Sequence, residues 1–287
     1  MNWLNILIQG ALLGGLYALF AIGLSLAFGI MRLVNIAHGD LIVLSAYIAL
    51  VTINATGLGA IASLVVVVPV MFVLGYLLQR GLLNLTLNGG LLPPLLVTFG
   101  ISVIIENVLL QIFGADIRRL HAGAIETASV SLGGIAVGVY PLIVFATAVV
   151  AIAGLQLVFY RTELGRAFRA TSDDADTAEL MGIDNRHLYA VAMAIAMIFT
   201  ALAGVLMAIR TTFDPAAGPI RLIFAFEAVI IGGLGSLWGT LLGGMVLGIA
   251  QAVGAALSPT WQILAGHIAF LVILILRPSG FFPRTRD

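Results

Sequence analysis

The chain contains no cysteine and no lysine; all thirteen of its basic residues are arginine. The first absence excludes disulfides, iron–sulfur clusters and thiolate zinc sites. The second excludes the phosphate-binding loop G-x-x-x-x-G-K-[ST], whose lysine contacts the nucleotide phosphates. If the protein works with ATP, another subunit must hydrolyse it. Charge is also scarce. Only 9% of residues are Asp, Glu, Lys or Arg, against about 25% in a soluble domain, so the chain cannot cover itself with a wetted surface. Its formal net charge is zero, and no long-range field argues for nucleic acid. Met1 to Gln9 lack a basic region, so no signal peptide is expected and the first apolar run is read as a retained helix.

Hydrophobic residues make up 61% of the chain. They fall in runs long enough to span a bilayer, which needs about 20 residues at 1.5 Å each. Candidate spans cover 4–30, 41–54, 60–78, 91–113, 137–159, 188–210, 222–257 and 261–276. The expected fold class is all-α: a polytopic transmembrane helical bundle with broken helices, about eight or nine spans, in one transmembrane domain over 1–287. Gly10, Gly14, Gly15, Gly243, Gly244 and Gly248 read as packing residues that let helices approach closely.

Two segments differ from plain spans. Phe28 to Asp40, FGIMRLVNIAHGD, is a polar break. Residues 222–257 are too long for one straight crossing. They break at Gly232, Gly233, Leu234, Gly235 and Ser236, and again near Gly239; two passes turning near 235–239 are expected. Gly-interrupted segments of this kind mark transporter sites. A further stretch, 160–187, holds a large share of the charge. Thr171 or Ser172 can N-cap a short helix there, with Asp173 and Asp174 in its first turn, Gly182 ending it and Asp184 capping the next span. Arg161, Arg166, Arg169 and Arg186 place this loop in the cytoplasm. Arg32 and Arg80 then fall inside, as do Arg277, Arg284 and Arg286 if 222–257 crosses twice. Arg118 and Arg119 fall outside, against the rule. With Arg210 and Arg221 they flank outer loops, either as partners for carboxylates of an external protein or as interface anchors.

Several polar residues lie where the bilayer makes them costly. Asn35 can N-cap a half-helix beginning at Ile36, whose free N–H groups and positive dipole end suit a carboxylate. The alternative is a cytoplasmic turn with His38 and Asp40 as polar punctuation. Glu106 and Glu227 each lie inside a span, at a cost of about 2.5–3.5 kcal/mol on insertion scales, so each must face a partner or a cavity. One reading places them on a path; the other makes them buried structural contacts. Gln251 and His267 read as helix–helix glue. Neither the G-x-S-x-G elbow nor H-E-x-x-H is present, which leaves no catalytic residue, metal site or cofactor to assign.

Three ordered segments together resemble one family: Gly15-Leu16-Tyr17-Ala18-Leu19 with Asn35-Ile36-Ala37-His38-Gly39-Asp40; Gly165-Arg166-Ala167 through Leu180-Met181-Gly182-Ile183; and Ile231-Gly232-Gly233-Leu234-Gly235-Ser236 with Gly239. They look like LivH-type permease subunits of ATP-binding-cassette importers for branched-chain amino acids. The family often reads N-F-A-H-G-E where this chain has Asn35 to Asp40. The resemblance implies a permease, not an enzyme, in the bacterial plasma (inner) membrane. It also implies a second permease subunit, two cytoplasmic ATPase subunits and an external solute-binding protein. Relatives also import urea, short-chain amides and other amino acids, so those substrates stay open. A secondary transporter or channel without an ATPase is the other alternative, and it would not need the 160–187 helix. On this reading Asn35, His38, Asp40, Glu106, Glu227, Gly233, Gly235 and Ser236 line the substrate path, where the breaks at 35–40 and 232–239 approach each other. Gly165, Arg166, Arg169, Ser172, Asp173, Asp174, Glu179 and Gly182 form the ATPase-coupling surface.

Overall fold

The computed structural model describes residues 3–87, 90, 92–132 and 135–282. Among the described residues the chain is all-α apart from one short hairpin. Its helices are α1 (Trp3–Met31), α2 (His38–Thr56), α3 (Leu64–Gly81), α4 (Leu92–Phe113), α5 (Val139–Arg161), α6 (Glu163–Asp173), α7 (Ala175–Leu180), α8 (Asn185–Arg210), α9 (Gly218–Gly232), α10 (Leu237–Leu257) and α11 (Gln262–Leu276). Strands β1 (Ser129–Leu132) and β2 (Ile135–Gly138) pair antiparallel before α5. Among the described residues, nine helical segments are long and apolar enough to cross a membrane. The protein is a multi-pass membrane protein.

All-round apolar helices suit either lipid or the bundle interior, so burial and not composition identifies the central ones. In α1 and α8, 83% of the most apolar stretch is buried, against 6% in α11; α1 and α8 form the centre. The contact between α1 and α10 is backbone on backbone. Gly10 and Gly14, four apart on α1, meet Gly248 and Gly244, four apart on α10, in antiparallel register. A Cβ on Gly10 would stand 2.6 Å from the Ile249 Cα, and one on Gly244 would stand 2.9 Å from the Ala18 nitrogen. In lipid no hydrophobic force drives helices together, so close approach of small residues supplies the attraction.

Residues 222–257 do cross twice. α9 ends at Gly232 and α10 starts at Leu237. Gly233 (φ 103°) and Gly235 (φ 81°) take the left-handed backbone that the turn requires, and the Ser236 hydroxyl caps α10 by accepting the Gly239 N–H at 3.2 Å. The second break expected near Gly239 does not exist: Gly239 lies inside α10. It lacks a side chain for a packing reason, since its face lies on the backbone of Gly232.

The two ends of the bundle separate cleanly. At one end Arg80 pairs with Asp184 at 3.6 Å, Asn84 Nδ2 donates to the Arg186 carbonyl at 2.9 Å, and the Ser172 hydroxyl donates to the Gly29 carbonyl at 2.7 Å. The α9–α10 turn lies there too, with the N–H groups of Phe281 and Phe282 bonded to the carbonyls of Ile231 and Gly232. At the other end Arg118 pairs backbone with Phe213, and Arg119 reaches the Ile209 carbonyl at 3.1 Å. The 160–187 segment thus shares an end with Arg80, as the arginine pattern requires. Arg118 and Arg119, which break that pattern, carry acidic partners: Asp116 at 3.4 Å and Glu126 at 3.0 Å. Arg284 and Arg286 lie outside the described residues.

Candidate translocation site and coupling surface

After α1 the chain doubles back. His38 Nε2 lies 2.7 Å from the Phe20 carbonyl, although α1 runs on to Met31, about 16 Å further at 1.5 Å per residue. Helix α2 therefore starts partway along α1, not at its end. Asn35, His38 and Asp40 are all buried. Asn35 does not N-cap a helix at Ile36 as expected. Its Oδ1 accepts the Ala37 N–H at 3.0 Å, the helix begins at His38, and its cap position, Ala37, has no side-chain bond. A short amide side chain reaches the N–H two residues on and makes an Asx turn, which competes with helix at that point.

Asp40 sits in the first turn of α2, where the helix dipole favours an anion. Its Oδ2 accepts the Ser102 hydroxyl of α4 at 2.5 Å, and four residues earlier on α4 the Thr98 hydroxyl accepts the Ile36 N–H at 3.2 Å. Residues four apart share a helix face, so Thr98, Ser102 and Glu106 form one polar stripe turned toward the start of α2. Glu106, half-buried, has no hydrogen bond or ion pair among the described residues. On the other side, Gly218 at the start of α9 packs directly on Asp40: a Cβ there would stand 2.9 Å from the Asp40 nitrogen and would overlap Oδ1.

The expected approach of the two breaks is not what the fold gives. The 35–40 segment meets Phe20 and Gly218, whereas Gly235 meets Gly29, 3.4 Å from the position of its Cβ. Phe20 and Gly29 are roughly 14 Å apart along α1. The reason is the return of 32–37 along α1, which lifts the start of α2 away from the turn. Glu227 and His267 form a part-buried contact, Oε1 to Nδ1 at 2.5 Å, and Gln251 Oε1 accepts the Tyr17 hydroxyl at 2.5 Å. Gln251 and His267 are the helix–helix glue expected of them.

Two cavities lie along α1. The inner one, about 290 Å³, is bounded by Ser25, Gly29, Tyr160, Arg169, Gly235 and Trp238. The outer one, about 220 Å³, contains Tyr17, Phe20, Arg210, Arg221, Phe224 and Gln251. Gly235 and Ser236, expected on the substrate path beside Asn35 to Asp40, line the inner cavity instead, whereas Arg210 and Arg221 read as loop flanks because no sequence distance shows that the two converge.

The loop helix is two helices. Thr162 caps α6 by accepting the Gly165 N–H at 3.1 Å. Asp174, not Thr171 or Ser172, caps α7, accepting the N–H groups of Asp176 and Thr177 at 3.1 and 3.0 Å. Thr171 and Ser172 lie inside α6, where the Thr171 hydroxyl donates to Asn185 Oδ1 at 3.0 Å. Gly182 (φ 89°) ends α7, and Asp184 caps α8 by accepting the His187 N–H at 3.0 Å, both as expected. These bonds hold the carboxyls of Asp174 and Asp184 below the usual carboxylate range: the Thr177 hydroxyl and N–H act first on Asp174, the His187 N–H on Asp184. Arg166 pairs with Glu163 at 3.2 Å, and Arg169 lies over the Tyr160 ring at 5.3 Å and donates to the Phe159 carbonyl. Asp173 and Glu179 are exposed. Gly165 lies against the backbone of Val158 and Phe159, so α6 folds back tightly on α5. Leu180 and Met181, 87% and 80% exposed at the tip of α7, are not among the charged residues expected to form the coupling surface. An apolar pair ending a charged, capped helix is the signal that points to them.

Residues 6–276 match the sequence family described as "Branched-chain amino acid transport system / permease component". The chain belongs to this family. Among curated relatives of this permease, the branched-chain amino acid permease BraD of Pseudomonas aeruginosa is 28% identical, over 99% of this chain and 96% of its own length. LivH of Escherichia coli is 26% identical, again over 99% and 96%. LivM of Escherichia coli, a second permease protein of the same kind of system, is 25% identical over 94% of this chain and 68% of its own length. No solved structure matches. Likeness to both LivH and LivM points to a paired-permease system.

Proposed function

We propose that this permease is one membrane-spanning half of an ATP-driven importer of branched-chain amino acids in the bacterial inner membrane. The other half is a paralogous permease, two cytoplasmic ATPase subunits supply the energy, and an external binding protein delivers the solute. The observation that carries this reading is the family match across 6–276, joined to relatives whose names specify branched-chain amino acids. The lack of lysine supports it, since the chain has no phosphate-binding loop of its own.

On this reading the solute moves along α1, from the outer cavity past the start of α2 to the inner cavity at Gly235, Ser236 and Trp238. Asn35, His38 and Asp40 act mainly by holding α2 in place, with Glu106 beside them on the α4 stripe. Glu227 stands between the cavities with one carboxylate oxygen unpartnered, and Gly233 gives the inner turn its shape. The α6–α7 unit carries force from the ATPase. Ser172 ties it to the end of α1 through Gly29, so a shift of α7 pulls on a helix that borders both cavities. For such coupling to work, the solute must bind the outward- and inward-open states with different free energies.

The test is uptake of labelled leucine by vesicles holding this chain with its paralogue, ATPases and binding protein. ATP-dependent uptake is expected. Asp174→Arg with Glu179→Arg is expected to leave insertion intact and to separate ATP hydrolysis from uptake. Uptake that needs no ATPase would overturn the reading, and wild-type uptake in the double variant would remove α7 from the coupling.

A further inference from the structure

The outer cavity has an electrostatic feature that the α2 region lacks. Arg210, the last residue of α8, and Arg221, in the first turn of α9, both border it. Among the described residues neither guanidinium has a carboxylate within ion-pair distance. Asp214, on the loop between them, acts on Arg221 through its charge without forming an ion pair, and its Oδ1 accepts the Ala216 N–H at 2.9 Å. Three buried donors on residues of this one cavity have no protein acceptor among the described residues: Arg210 Nη1, Arg221 Nε and Gln251 Nε2. Gln251 is fixed by its other end, since Oε1 holds the Tyr17 hydroxyl. The rest of the wall is apolar and aromatic, with the Phe224 ring tilted against Tyr17, centroids 5.0 Å apart, and Phe20 beside them.

Both guanidinia sit half-buried at helix ends, and charge held at the edge of a membrane bundle without an ion pair is a candidate functional site. A buried donor without a partner costs about 1–3 kcal/mol, more when charged. Donors gathered round an aromatic-walled cavity suit a ligand that brings acceptors and an apolar body. The loop is held in place to receive it: the N–H of Arg118 bonds to the Phe213 carbonyl at 2.8 Å, the Phe213 N–H returns the bond at 2.9 Å, and the Leu120 N–H bonds to the Ala208 carbonyl at 2.9 Å. The start of α2 is a poorer carboxylate receptor, because its first turn already contains the carboxylate of Asp40.

We propose that Arg210 and Arg221, with Gln251, form a receptor for an aliphatic carboxylate in the outer cavity. We assign that carboxylate to the transported amino acid as it leaves the binding protein. The assignment deepens the function proposed above and rests on it; the existence of the receptor does not. The guanidinia hold the carboxylate, as their fork geometry allows, and Phe20 and Phe224 cover the branched side chain. A carboxylate side chain of the binding protein has the same chemistry and is the rival source.

The test uses the full chain, with the subunits that co-purify, in lipid nanodiscs. Isovalerate, a branched aliphatic carboxylate, and isovaleramide, its neutral counterpart, are titrated at constant ionic strength, with thermal stability as the readout. Isovalerate is expected to stabilise the wild type at concentrations on the order of tenfold lower than isovaleramide needs. Arg210→Gln with Arg221→Gln is expected to abolish the difference. Where that pair does not assemble, Arg221→Lys decides: it keeps the charge and loses the fork, and should weaken isovalerate on the order of tenfold. Equal responses to the two ligands in the wild type, or an undiminished preference for isovalerate in whichever variant is read, overturn the receptor. Binding-protein affinity for the nanodisc complex separates the sources. Unchanged affinity in the variant assigns the carboxylate to the solute; affinity lost together with the isovalerate response assigns it to the binding protein and overturns the solute reading. Because the titration needs neither ATP nor transport, failure of leucine uptake would sink the proposed function and leave the receptor standing.

Discussion

The Ser102 hydroxyl donates to the Asp40 carboxylate at 2.5 Å, joining α4 to the first turn of α2 across an otherwise apolar contact. Four residues away on α4, Thr98 holds the Ile36 N–H just before that turn. Much of the rest of α4 is exposed apolar surface, which suits lipid or a second permease. The polar stripe is therefore what fixes where α2 begins.

Removing that hydroxyl should be felt as a loss of stability. Ser102→Ala leaves a buried carboxylate oxygen with no donor, which costs about 1–3 kcal/mol. The thermal denaturation midpoint of the purified chain, followed by size-exclusion chromatography in detergent, is expected to fall. An unchanged midpoint would show that water or another donor serves Asp40.

Gly218→Ala is expected to be far worse than Gly154→Ala. The first places a methyl group against the Asp40 side chain and backbone, while the second meets nothing within 4 Å. Gly154 lies in the exposed interior of α5, where alanine favours helix by about 0.5–1 kcal/mol. Expression and thermal midpoint of the two variants, measured side by side, check this; equal behaviour would mean that α2 and α9 do not pack as described.

The caps of α7 and α8 should weaken in acid. Asp174 and Asp184 have folded-state pKa values below their unfolded ones. Their stabilisation is thus fully present above the unfolded value, about 3.9, and is lost as pH falls through the lower folded value. Amide hydrogen exchange, corrected for its intrinsic pH dependence, should rise in the first turns of both helices over that acidic window and stay flat around neutrality. Asp174→Asn is expected to flatten the α7 response alone.

Leu180 and Met181 should matter to the ATPase and not to the fold. Both are exposed at the tip of α7, so Leu180→Asp with Met181→Asp removes no internal packing. Co-purification of the ATPase subunits is expected to drop at least several-fold, with the thermal midpoint of the isolated chain unchanged. Normal co-purification would place the docking contact elsewhere on 160–187.

Sequence alone determined the solvent this chain folds in. Its apolar runs of about 20 residues match the bilayer as helices, whereas a spanning strand needs about 10, so of the two structures that satisfy the backbone in lipid the helix was selected. The arginine pattern grouped the loops that share the 160–187 end, and local chemistry fixed Gly182 as a helix stop and Asp184 as a cap, because such motifs reach only a few residues. Placement across the bundle was not local and was not legible. Asn35 alone does not reveal that 32–37 returns along α1, since that depends on His38 finding the Phe20 carbonyl. Gly239 reads as a breaker until Gly232 is seen against it. Arg210 and Arg221 read as two loop flanks until the loop between them is pinned to Arg118. Each of these was decided by contacts between residues distant in the chain, where packing, not propensity, selects the conformation.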